Sequence, residues 1–363
     1  MRLAETIDGG AVRLRGFRED DAEDLRAGCD DPVTARFLPG IPSPYTLADA
    51  RWWIEEGAPA QGNQYAITDP DTDRLIGGAG IAAVNTWNGQ ATIGYWVAPA
   101  ARSKGVATAA TRALADAAFA AGLVRLNLST AVENVASQRV AIAAGFTREA
   151  VRRGAARRRD GSRQDMIGWA RLADDPPGPS ARLLPDLAEL TDGVVTLRPV
   201  RPDDLDDVYA LMTLPEVIAS SAGTVAFTRE TIAAHIAAKP SRWLAGERAD
   251  LAVVDAASGA FAGEIGLYYF EPWAQQAMIG YSLVPAWRGR GYATRAAKLV
   301  SRWAFEQVGI ARLIAGTNPG NAASQRVLER AGFVREGLQR SRFTGPDGTR
   351  VDDVLWALLP PSA

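Results

Sequence analysis

Alternating apolar and polar positions predict strands at corresponding places in the two halves of the chain. Residues 11–15 and 194–198 are short alternating runs near the start of each half, and such alternation is typical of a half-buried strand. Acidic stretches follow at residues 19–21 and 203–204, where carboxylates favour the positive end of a helix dipole. The same succession of elements therefore begins twice.

Beyond these points, each half continues with strand-like and helix-like stretches in the same order. The helix-like stretches carry apolar residues at helical spacing, as at Ala297, Val300 and Ala304, which predicts one buried face. Closing strands include Trp169 and Trp356. We expect an α/β fold with a mixed central sheet in each half. The predicted strands are 65–67, 75–81, 92–97, 251–254, 263–268 and 278–284, and the predicted helices are 108–121, 137–144, 294–308 and 324–331.

Two sequence motifs occur once in each half. The first is Ile-Gly-Tyr, then proline, then a basic, glycine-bearing loop at residues 102–108 or 288–294. The second begins Asn-x-x-Ser-Gln-Arg-Val at Asn134 or Asn321 and closes on Ala-Gly-Phe. The spacing between the two motifs differs by one residue in the two halves, so the chain contains a duplicated domain.

The length and one proline-rich stretch place the boundary between the copies. A chain of 363 residues fits two domains at roughly 100 to 200 residues each. The run Asp-Asp-Pro-Pro-Gly-Pro-Ser at residues 174–180 cannot continue a helix or a central strand, because proline lacks the backbone donor. We therefore predict a first domain at 1–173, a linker at 174–191 and a second domain at 192–363.

Composition excludes several classes of protein. The hydrophobic content of 47% and the charged content of 23% are ordinary for a soluble protein, and the formal net charge of −2 gives no overall attraction to nucleic acid or membrane. The single cysteine, Cys29, excludes an intramolecular disulfide and a Cys-x-x-Cys metal site, and the single histidine, His235, lies in the other half. Without a signal-like or membrane-spanning apolar stretch, we expect a cytoplasmic protein with no metal.

The glycine-bearing loop has the features of a phosphate site. An apolar strand runs into residues 288–293, and a helix begins directly afterwards. The first amides of a helix have no internal partners and carry part of the helix dipole. Gly291 and Ala293 keep side chains out of the way, and the arginines can approach phosphate oxygens. The alternative is that these small residues serve only tight packing between strand and helix.

The second motif describes the ends of a helix. Asn134 and Asn321 stand where a helix cap is expected. The closing glycine ends the helix, and the phenylalanine after it enters the core.

Taken together, the loop RxxGxA and the later NxxSQRVxxxAGF resemble the GNAT acyltransferases, in particular the branch with the RimJ/RimL ribosomal-protein N-acetyltransferases. The resemblance covers nearly all of both halves. It implies two tandem GNAT domains that use acetyl-CoA, with its pyrophosphate on the loop amides and its pantetheine in a V-shaped opening between two central strands. It also implies that Ser137 and Ser324 protonate the departing thiolate, and that amides around Val97 and Val284 stabilise the oxyanion. The residues implied to bind the cofactor are Val97, Arg102, Ser103, Lys104, Gly105, Val106, Ala107, Thr108, Asn134, Val284, Arg288, Gly289, Arg290, Gly291, Tyr292, Ala293, Thr294 and Asn321.

The general base is not evident from the sequence. Relatives often carry glutamate directly before Ile-Gly-Tyr, where this chain has Thr92 and Met278, and the stretches 157–159 and 341–343 hold no glutamate either. We expect Glu271 to act in catalysis, because it lies at the strand end that we place nearer the cleft. The alternative is a solvated turn carboxylate. Asp165 and Asp352, which stand before the last strand of each half, orient the acceptor amine or serve turn chemistry.

We expect direct acetyl transfer to a primary amine, because no pair of nucleophile and base for an acyl-enzyme is visible in the sequence. The acceptor is a protein N-terminus, as the resemblance suggests, or a small molecule such as an antibiotic. The alternative is that one half, the first being favoured for its lack of carboxylates, is a structural or acyl-CoA-sensing domain. A basic run, Arg148 to Arg163, is interpreted as a solvated loop, with an acidic acceptor or RNA phosphates as alternatives. Nucleic acid is otherwise not expected as a partner, and a homo-oligomer is left open.

Overall fold

The structure is a computed structural model that describes residues 1–220, 227–345 and 348–361. The chain divides into a first unit, Met1–Ala181, and a second unit, Arg182–Ala363. This division falls inside the stretch 174–191 that the sequence suggests as a linker. Residues on both sides of the division belong to their own unit: the Ser180 amide donates to the Ile142 carbonyl, and Leu184 is fully buried in the core of the second unit.

In the first unit, eight strands form one sheet in the order β1-β2-β3-β4-β5-β6-β8-β7. Pairing is antiparallel except between β5 and β6. A π-helical turn, Trp53–Gly57, joins two of the helices. The strands are β1 Thr6–Asp8, β2 Arg13–Arg15, β3 Gln64–Thr68, β4 Leu75–Asn85, β5 Gln90–Val97, β6 Arg125–Ala131, β7 Thr147–Arg157 and β8 Arg163–Leu172, and the helices are α1 Ala22–Cys29, α2 Pro32–Phe37, α3 Leu47–Trp52, α4 Ala58–Gln61, α5 Val106–Ala120 and α6 Val135–Ala143.

The second unit repeats this plan, with sheet order β15-β16-β14-β13-β12-β11-β10-β9. Its parallel pair is β13 with β14, and a π-helical turn, Ala304–Val308, extends α10. The strands are β9 Leu190–Thr191, β10 Val195–Pro199, β11 Arg248–Asp255, β12 Phe261–Glu271, β13 Gln276–Leu283, β14 Arg312–Thr317, β15 Val334–Thr344 and β16 Arg350–Leu358, and the helices are α7 Leu205–Met212, α8 Pro215–Ser220, α9 Arg229–Leu244, α10 Tyr292–Trp303 and α11 Ala322–Ala331. The α/β class and the mixed central sheet predicted from the sequence are confirmed in both halves.

Apolar residues pack helices against both faces of each sheet. In the second unit, α10 and its π-turn cover one face with Val300, Trp303 and Ala304, which are all fully or almost fully buried. Helices α7 and α9 cover the other face, where Val208 and Ile236 pack beside β11 and β12. None of the helices in the described part of the chain has both the length and the apolar composition needed to cross a membrane.

A buried ion pair repeats at the start of each unit. Arg15 donates two hydrogen bonds to Asp21, at 2.8 and 2.9 Å, and Arg198 does the same to Asp204, at 2.8 and 2.7 Å. Asp21 also accepts the amide of Arg18. The acidic turns, which the sequence places at the positive end of a helix, therefore also supply a buried partner for a strand arginine.

We expect Asp21→Ala to lower the free energy of unfolding of the first unit by about 3–5 kcal/mol, because it leaves the Arg15 guanidinium buried without its main partner. The matched control is Asp20→Ala, which removes an exposed neighbouring carboxylate and is expected to cost less than about 1 kcal/mol. Urea unfolding of the full chain measures both values, and hydrogen exchange at β2 assigns the loss to the first unit. Equal costs for the two variants would contradict the role given to the pair.

Candidate functional site

In each unit, the two parallel central strands separate after three residue pairs. Strand β5 pairs with β6 only from Gln90 to Thr92, and β13 pairs with β14 only from Gln276 to Met278. In the first unit, the resulting cleft is a cavity of about 620 Å³ lined by the ends of β5 and β6, the loop after β5 and residues of α5 and α6. A V-shaped opening thus lies where the sequence resemblance implies one.

The loop beside the cleft leads into a helix whose start has no side-chain cap. Gly105 precedes α5 with a φ of 80°, and Gly291 precedes α10 with a φ of 83°. A methyl group added to either glycine would meet no atom of the described residues within 4 Å. The space beside both helix starts is therefore open on the side of the glycine, and an anion site at a helix start needs such space.

The remaining residues of the loops differ in what they can offer a ligand. Ser103 and Lys104 are exposed, Ala107 and Thr108 are half-buried and line the cavity, and Val106 is buried in it. In the second unit, Gly289 and Arg290 are exposed, whereas the side chains of Tyr292 and Ala293 are buried. These two residues can therefore contribute main-chain amides only, and the Tyr292 hydroxyl donates to Asp255.

The first arginine of each loop is bonded within the protein, so its contact with a phosphate stays a prediction. Arg102 donates to the Val97 carbonyl at 3.2 Å and also contacts Asp31 and Thr34. Arg288 repeats the arrangement, donating to the Leu283 carbonyl at 2.9 Å and to Glu216. Both guanidinium groups brace the loop against the preceding strand and a helix of the opposite face.

Cations are nevertheless present beside the second loop. A cavity of about 580 Å³ touches Gly291 and Thr294 and is lined by Lys298, Arg302 and Arg330. These side chains come from α10 and α11, one turn or more beyond the open helix start. Positive charge at this distance can attract further phosphate groups of a ligand whose diphosphate lies on the loop.

The asparagine of the second motif caps its helix in both units. The Asn134 side-chain oxygen accepts the Ser137 amide at 3.1 Å, and Asn321 accepts the Ser324 amide at 3.0 Å. The capping interpretation is therefore confirmed. Asn134 also lines the cleft cavity, so its contact with a ligand stays a prediction.

A tyrosine and a serine meet at the wall of each cleft. The Tyr95 and Ser137 hydroxyl oxygens lie 2.8 Å apart, and the Tyr281 and Ser324 oxygens are also 2.8 Å apart. Burial raises the pKa of both tyrosines to about 12, against a smaller opposite effect of the serine bond, so both phenols are neutral at ordinary pH. Sequence reasoning gave these tyrosines no role, although Ile-Gly-Tyr repeats in both motifs.

The strand register decides which main-chain amides face the cleft. Along an antiparallel ladder, the amides of successive residues point alternately towards the partner strand and away from it. The Ala98 amide donates to the Ile76 carbonyl, and the Val284 amide donates to the Ala262 carbonyl. The amide one residue earlier in each strand therefore points away from that partner strand. The Val97 amide therefore faces the cleft, as expected. The prediction for Val284 is wrong, because its amide is already bonded to Ala262. The residue equivalent to Val97 is Leu283.

The carboxylates singled out in the sequence have other surroundings than expected. Glu271 pairs with Gln276, at the end of β13 where β13 and β14 are still joined, so the expectation that it lies at the strand end nearer the cleft is wrong. Asp165 accepts the Gly154 amide at 2.7 Å, and Asp352 accepts the Ser341 amide at 2.8 Å. These two aspartates satisfy backbone donors on the adjacent strand, which agrees with turn chemistry.

Asp353 is a carboxylate that sequence reasoning missed. It lies on β16, and a methyl group added at Gly316 of β14 would fall 2.5 Å from its oxygen, so the carboxylate covers a residue on the cleft wall. Burial raises its pKa, although Arg342 at 3.0 Å acts in the opposite direction. Asp353 stands three residues before the closing tryptophan of the second unit, and Met166 stands at the same place in the first unit. Because the two copies differ here, comparison of repeated motifs could not have revealed Asp353.

Comparison with protein families decides the relationship. A family model described as "Acetyltransferase (GNAT) domain" matches residues 11–147 and 195–334. The chain belongs to the GNAT acetyltransferase family. The two matched segments correspond to the two sheets, so the chain carries two tandem GNAT domains.

Individual relatives match parts of this GNAT chain. "Probable N-acetyltransferase YjcK" of Bacillus subtilis is 41% identical over 87 residues, which are 24% of this chain and 48% of YjcK. "Putative ribosomal N-acetyltransferase YdaF" of the same organism is 32% identical over 101 residues, which are 28% and 55% of the two chains. The chain spans about half the length of these curated relatives. The solved structure of Mycobacterium smegmatis RimJ in complex with CoA-disulfide matches with 23% identity and a TM-score of 0.45, over 50% of this chain and 92% of that one.

The basic run of the first GNAT domain is largely bonded within the protein. Arg159 donates to the carbonyls of Ala35, Leu38 and Ile41, and Arg158 contacts Glu133. The Arg159 bonds tie the β7–β8 hairpin to the chain around α2, and the Arg158 contact ties it to the turn between β6 and α6. The interpretation as a merely solvated loop is therefore wrong for these two arginines, and their guanidinium groups are already engaged by the protein.

A second cavity of the first GNAT domain, about 510 Å³, lies on the opposite face of the sheet from α5. Its walls come from α1, the segment 38–53 and the strands β3 to β5. It shares Leu38 and the stretch 93–96 with the cleft cavity. The two cavities therefore meet at the end of β5.

We expect Cys29 to resist thiol reagents in the native GNAT protein. The residue is only 4% exposed, and burial raises the pKa of its thiol to about 12, so the reactive thiolate is scarce near pH 8. Labelling with a coloured disulfide reagent should be slow in buffer and rapid in concentrated urea. Rapid labelling of the folded protein would show that this thiol can act as a nucleophile.

Proposed function

We propose that the protein transfers an acetyl group from acetyl-CoA directly to a primary amine. The observation that carries this proposal is the pairing, in each unit, of an uncapped glycine helix start with a cleft between parallel strands. We place the reaction in the cytoplasm, where acetyl-CoA is available. The domain limits 1–173 and 192–363 are proposed for the two catalytic modules.

The residues present fit acetyl-CoA. The open space at Gly105 and Gly291 lets a diphosphate approach the amides of residues 103–108 and 289–294. The cations beside Gly291 supply charge for a further phosphate. The amides of Val97 and Leu283 face the cleft and can donate to the carbonyl oxygen of a thioester, where negative charge develops during attack.

Bound acetyl-CoA would supply a thioester carbonyl carbon that a neutral amine can attack. The amine nitrogen bonds to this carbon, the carbon–sulfur bond breaks, and the amine loses a proton. Ser137 and Ser324 donate the proton that the leaving sulfur takes up, and the neutral Tyr95 and Tyr281 hydroxyls replenish it across 2.8 Å. Cys29 is no candidate for an acyl-enzyme, since its thiol is buried and protonated.

In the second unit, we propose that Asp353 accepts the proton from the amine, in place of Glu271. Its carboxylate covers Gly316 on the cleft wall, and it faces the side of the sheet opposite Val354 and Trp356, which pack under α10. A carboxylate whose pKa is raised is a stronger base once ionised. The first unit has methionine there, so its amine must lose the proton to water.

The acceptor is proposed to be a protein N-terminus or a small-molecule amine. The similarity to a protein named as a ribosomal N-acetyltransferase favours the first, and the second cavity of the first unit, with its small-molecule volume of about 510 Å³, favours the second for that unit. Assay of CoA release against a panel of peptides and small amines decides between them.

A second candidate function is that the first unit senses acyl-CoA without catalysing transfer. Met166 in place of Asp353 favours it. Two single-site chains discriminate: one with the second loop blocked by Gly291→Trp, the other with the first loop blocked by Gly105→Trp. CoA binding without amine-dependent CoA release in the Gly291→Trp chain supports the sensing role, and release by both chains removes it.

We expect the wild-type chain to bind two molecules of CoA, each loop variant one, and the double variant none. A tryptophan at either position fills the space that the diphosphate needs, and it strains a residue with positive φ by about 1–2 kcal/mol. Isothermal titration measures the stoichiometry. Gly10→Trp and Gly259→Trp are matched controls, since both glycines have positive φ and no described atom within 4 Å of an added methyl group, and both lie outside the loops. An unchanged stoichiometry in the loop variants contradicts the site.

We expect Asp353→Asn, tested in the Gly105→Trp chain, to lower kcat/KM by about a hundredfold at pH 8. Only the ionised carboxylate accepts a proton, so the advantage of the parent Gly105→Trp chain over the Asp353→Asn variant should shrink as the pH falls through the raised pKa. Asp352→Asn is the neighbouring control, because that carboxylate holds the Ser341 amide. A rate ratio that is independent of pH would assign Asp353 a structural role.

A further inference from the structure

The second cavity of the first unit has walls of a distinctive chemistry. Its lining residues are predominantly aromatic and aliphatic, and they enclose about 510 Å³, a volume within the usual range for small-molecule sites. The aromatic lining residues are Phe17, Tyr45, Trp52, Trp53, Tyr95 and Trp96. We call this cavity the aromatic chamber.

Glycines hold one wall of the aromatic chamber in place. A methyl group added at Gly28 of α1 would lie 2.4 Å from the Trp96 ring, and one added at Gly78 of β4 would also lie 2.4 Å from it. The indole is therefore clamped between a helix and a strand, and neither contact tolerates a larger residue without a shift. A rigid aromatic wall of this kind favours a flat apolar ligand.

Other glycines open the floor towards the cleft. Gly80 and Gly94 are register partners on adjacent strands, and a methyl group at Gly94 would meet no described atom within 4 Å. The Gln64 side-chain oxygen lies over Gly80, and its nitrogen donates to the Gly62 and Ile81 carbonyls. A hydrogen-bond acceptor thus stands on the floor between the chamber and the thioester position.

Ionisable groups of the chamber carry little usable charge. Among its lining residues, which all lie in the described part of the chain, Asp49 is the one carboxylate, and it is bonded to the Thr46 amide and hydroxyl at 2.8 and 2.6 Å. Burial raises the pKa of Cys29 to about 12 and also raises the pKa of Tyr45, which keeps both neutral. Among these lining residues, a polycation would therefore find a single ionised carboxylate, Asp49, for several charges that lose their hydration.

The second unit does not repeat these features. Its register equivalents of Gly78 and Trp96 are Glu264 and Ser282, and Glu264 forms an ion pair with the buried Lys239. The Tyr268 hydroxyl would lie 2.0 Å from a methyl group at Gly280, where the first unit has open space. Within the described residues of the second copy, these features of the aromatic chamber are thus absent.

We propose that the first unit accepts primary amines that carry an aromatic ring, with the ring in the aromatic chamber and the amine at the Gly80–Gly94 floor beside Gln64. This inference rests on the proposed function, since it names the acceptor class of that site. The same chemistry occurs in free arylalkylamines and in peptides whose first residue is aromatic.

The test uses the Gly291→Trp chain, in which the first loop remains intact. CoA release is measured with phenethylamine, butylamine and the triamine spermidine, and with tripeptides that begin with phenylalanine or alanine. Phenethylamine is expected to exceed butylamine in kcat/KM by about tenfold, the factor that burial of part of a ring supplies, and spermidine is expected to be the poorest. A preference for the phenylalanine tripeptide over phenethylamine identifies a peptide N-terminus as the source.

Variants locate the preference. Trp52→Ala removes a lining side chain that is 60% exposed and should abolish the preference for phenethylamine over butylamine. Trp87→Ala is the matched control, because this tryptophan is 94% exposed, lies between β4 and β5 and does not line the chamber. Gly94→Leu fills the floor and should suppress phenethylamine turnover.

Direct binding separates this inference from the proposed function. Saturation-transfer NMR with phenethylamine and butylamine reports on the chamber whether or not the acetyl group is transferred. Ring-selective binding without CoA release supports the chamber and overturns the proposed acetyl transfer in this unit. Equal weak binding of both amines, or a preference that Trp52→Ala leaves intact, overturns the chamber.

Discussion

The separation of two parallel strands after three residue pairs is the constraint on which each site depends. A parallel pair needs a crossover connection, and here α5 or α10 makes it, beginning at the loop that follows β5 or β13. The crossover therefore brings an uncapped helix start to the side on which the strands separate. The strand edge at the cleft offers main-chain donors, and the helix start offers amides with positive potential. One topological requirement thus supplies both the cleft and the anion site.

Local features of this arrangement could be predicted from the sequence because neighbouring residues determine them. The helix starts after Gly105 and Gly291 and the caps at Asn134 and Asn321 each depend on a few consecutive positions. The repeat doubled this information, since the same short signal in both halves excluded coincidence. The α/β order followed from periodicity for the same reason.

Features that depend on register or on distant partners could not be predicted. The choice between Val284 and Leu283 depends on which residues of β12 and β13 exchange hydrogen bonds, and a shift of one residue turns the amide away from the cleft. Arg102 has the spacing of a phosphate ligand, but Asp31 and Thr34, about seventy positions earlier in the chain, bind it. Asp353 has no counterpart in the first half, so comparison of the two copies passed over it.

The two copies agree in main-chain chemistry and differ in the side chains on the face opposite α5 and α10. Trp96 and Ser282 are equivalents, as are Gln64 and Asp250, which stand opposite Gly80 and Gly266. Main-chain amides at a glycine loop can bind a diphosphate whatever the neighbouring side chains are. The loop can therefore keep the same sequence pattern in both copies. In the proposed function, side chains on the other face meet the acceptor alone, so a duplicated domain can change them without loss of the shared cosubstrate.

In the proposed mechanism, proton transfer sets a further difference between the copies. The Tyr281–Ser324 pair can donate a proton only while the phenol is neutral, which requires a pH below the Tyr281 pKa of about 12. Asp353 can accept one only above its own pKa, which burial has raised. The second unit therefore has both groups in their working states only between these limits, and acid removes the acceptor first. The first unit has the same upper pH limit, which is set by the pKa of Tyr95. It has Met166 in place of Asp353, so no carboxylate sets a lower limit there, and the loss of its activity in acid is expected to follow protonation of the acceptor amine.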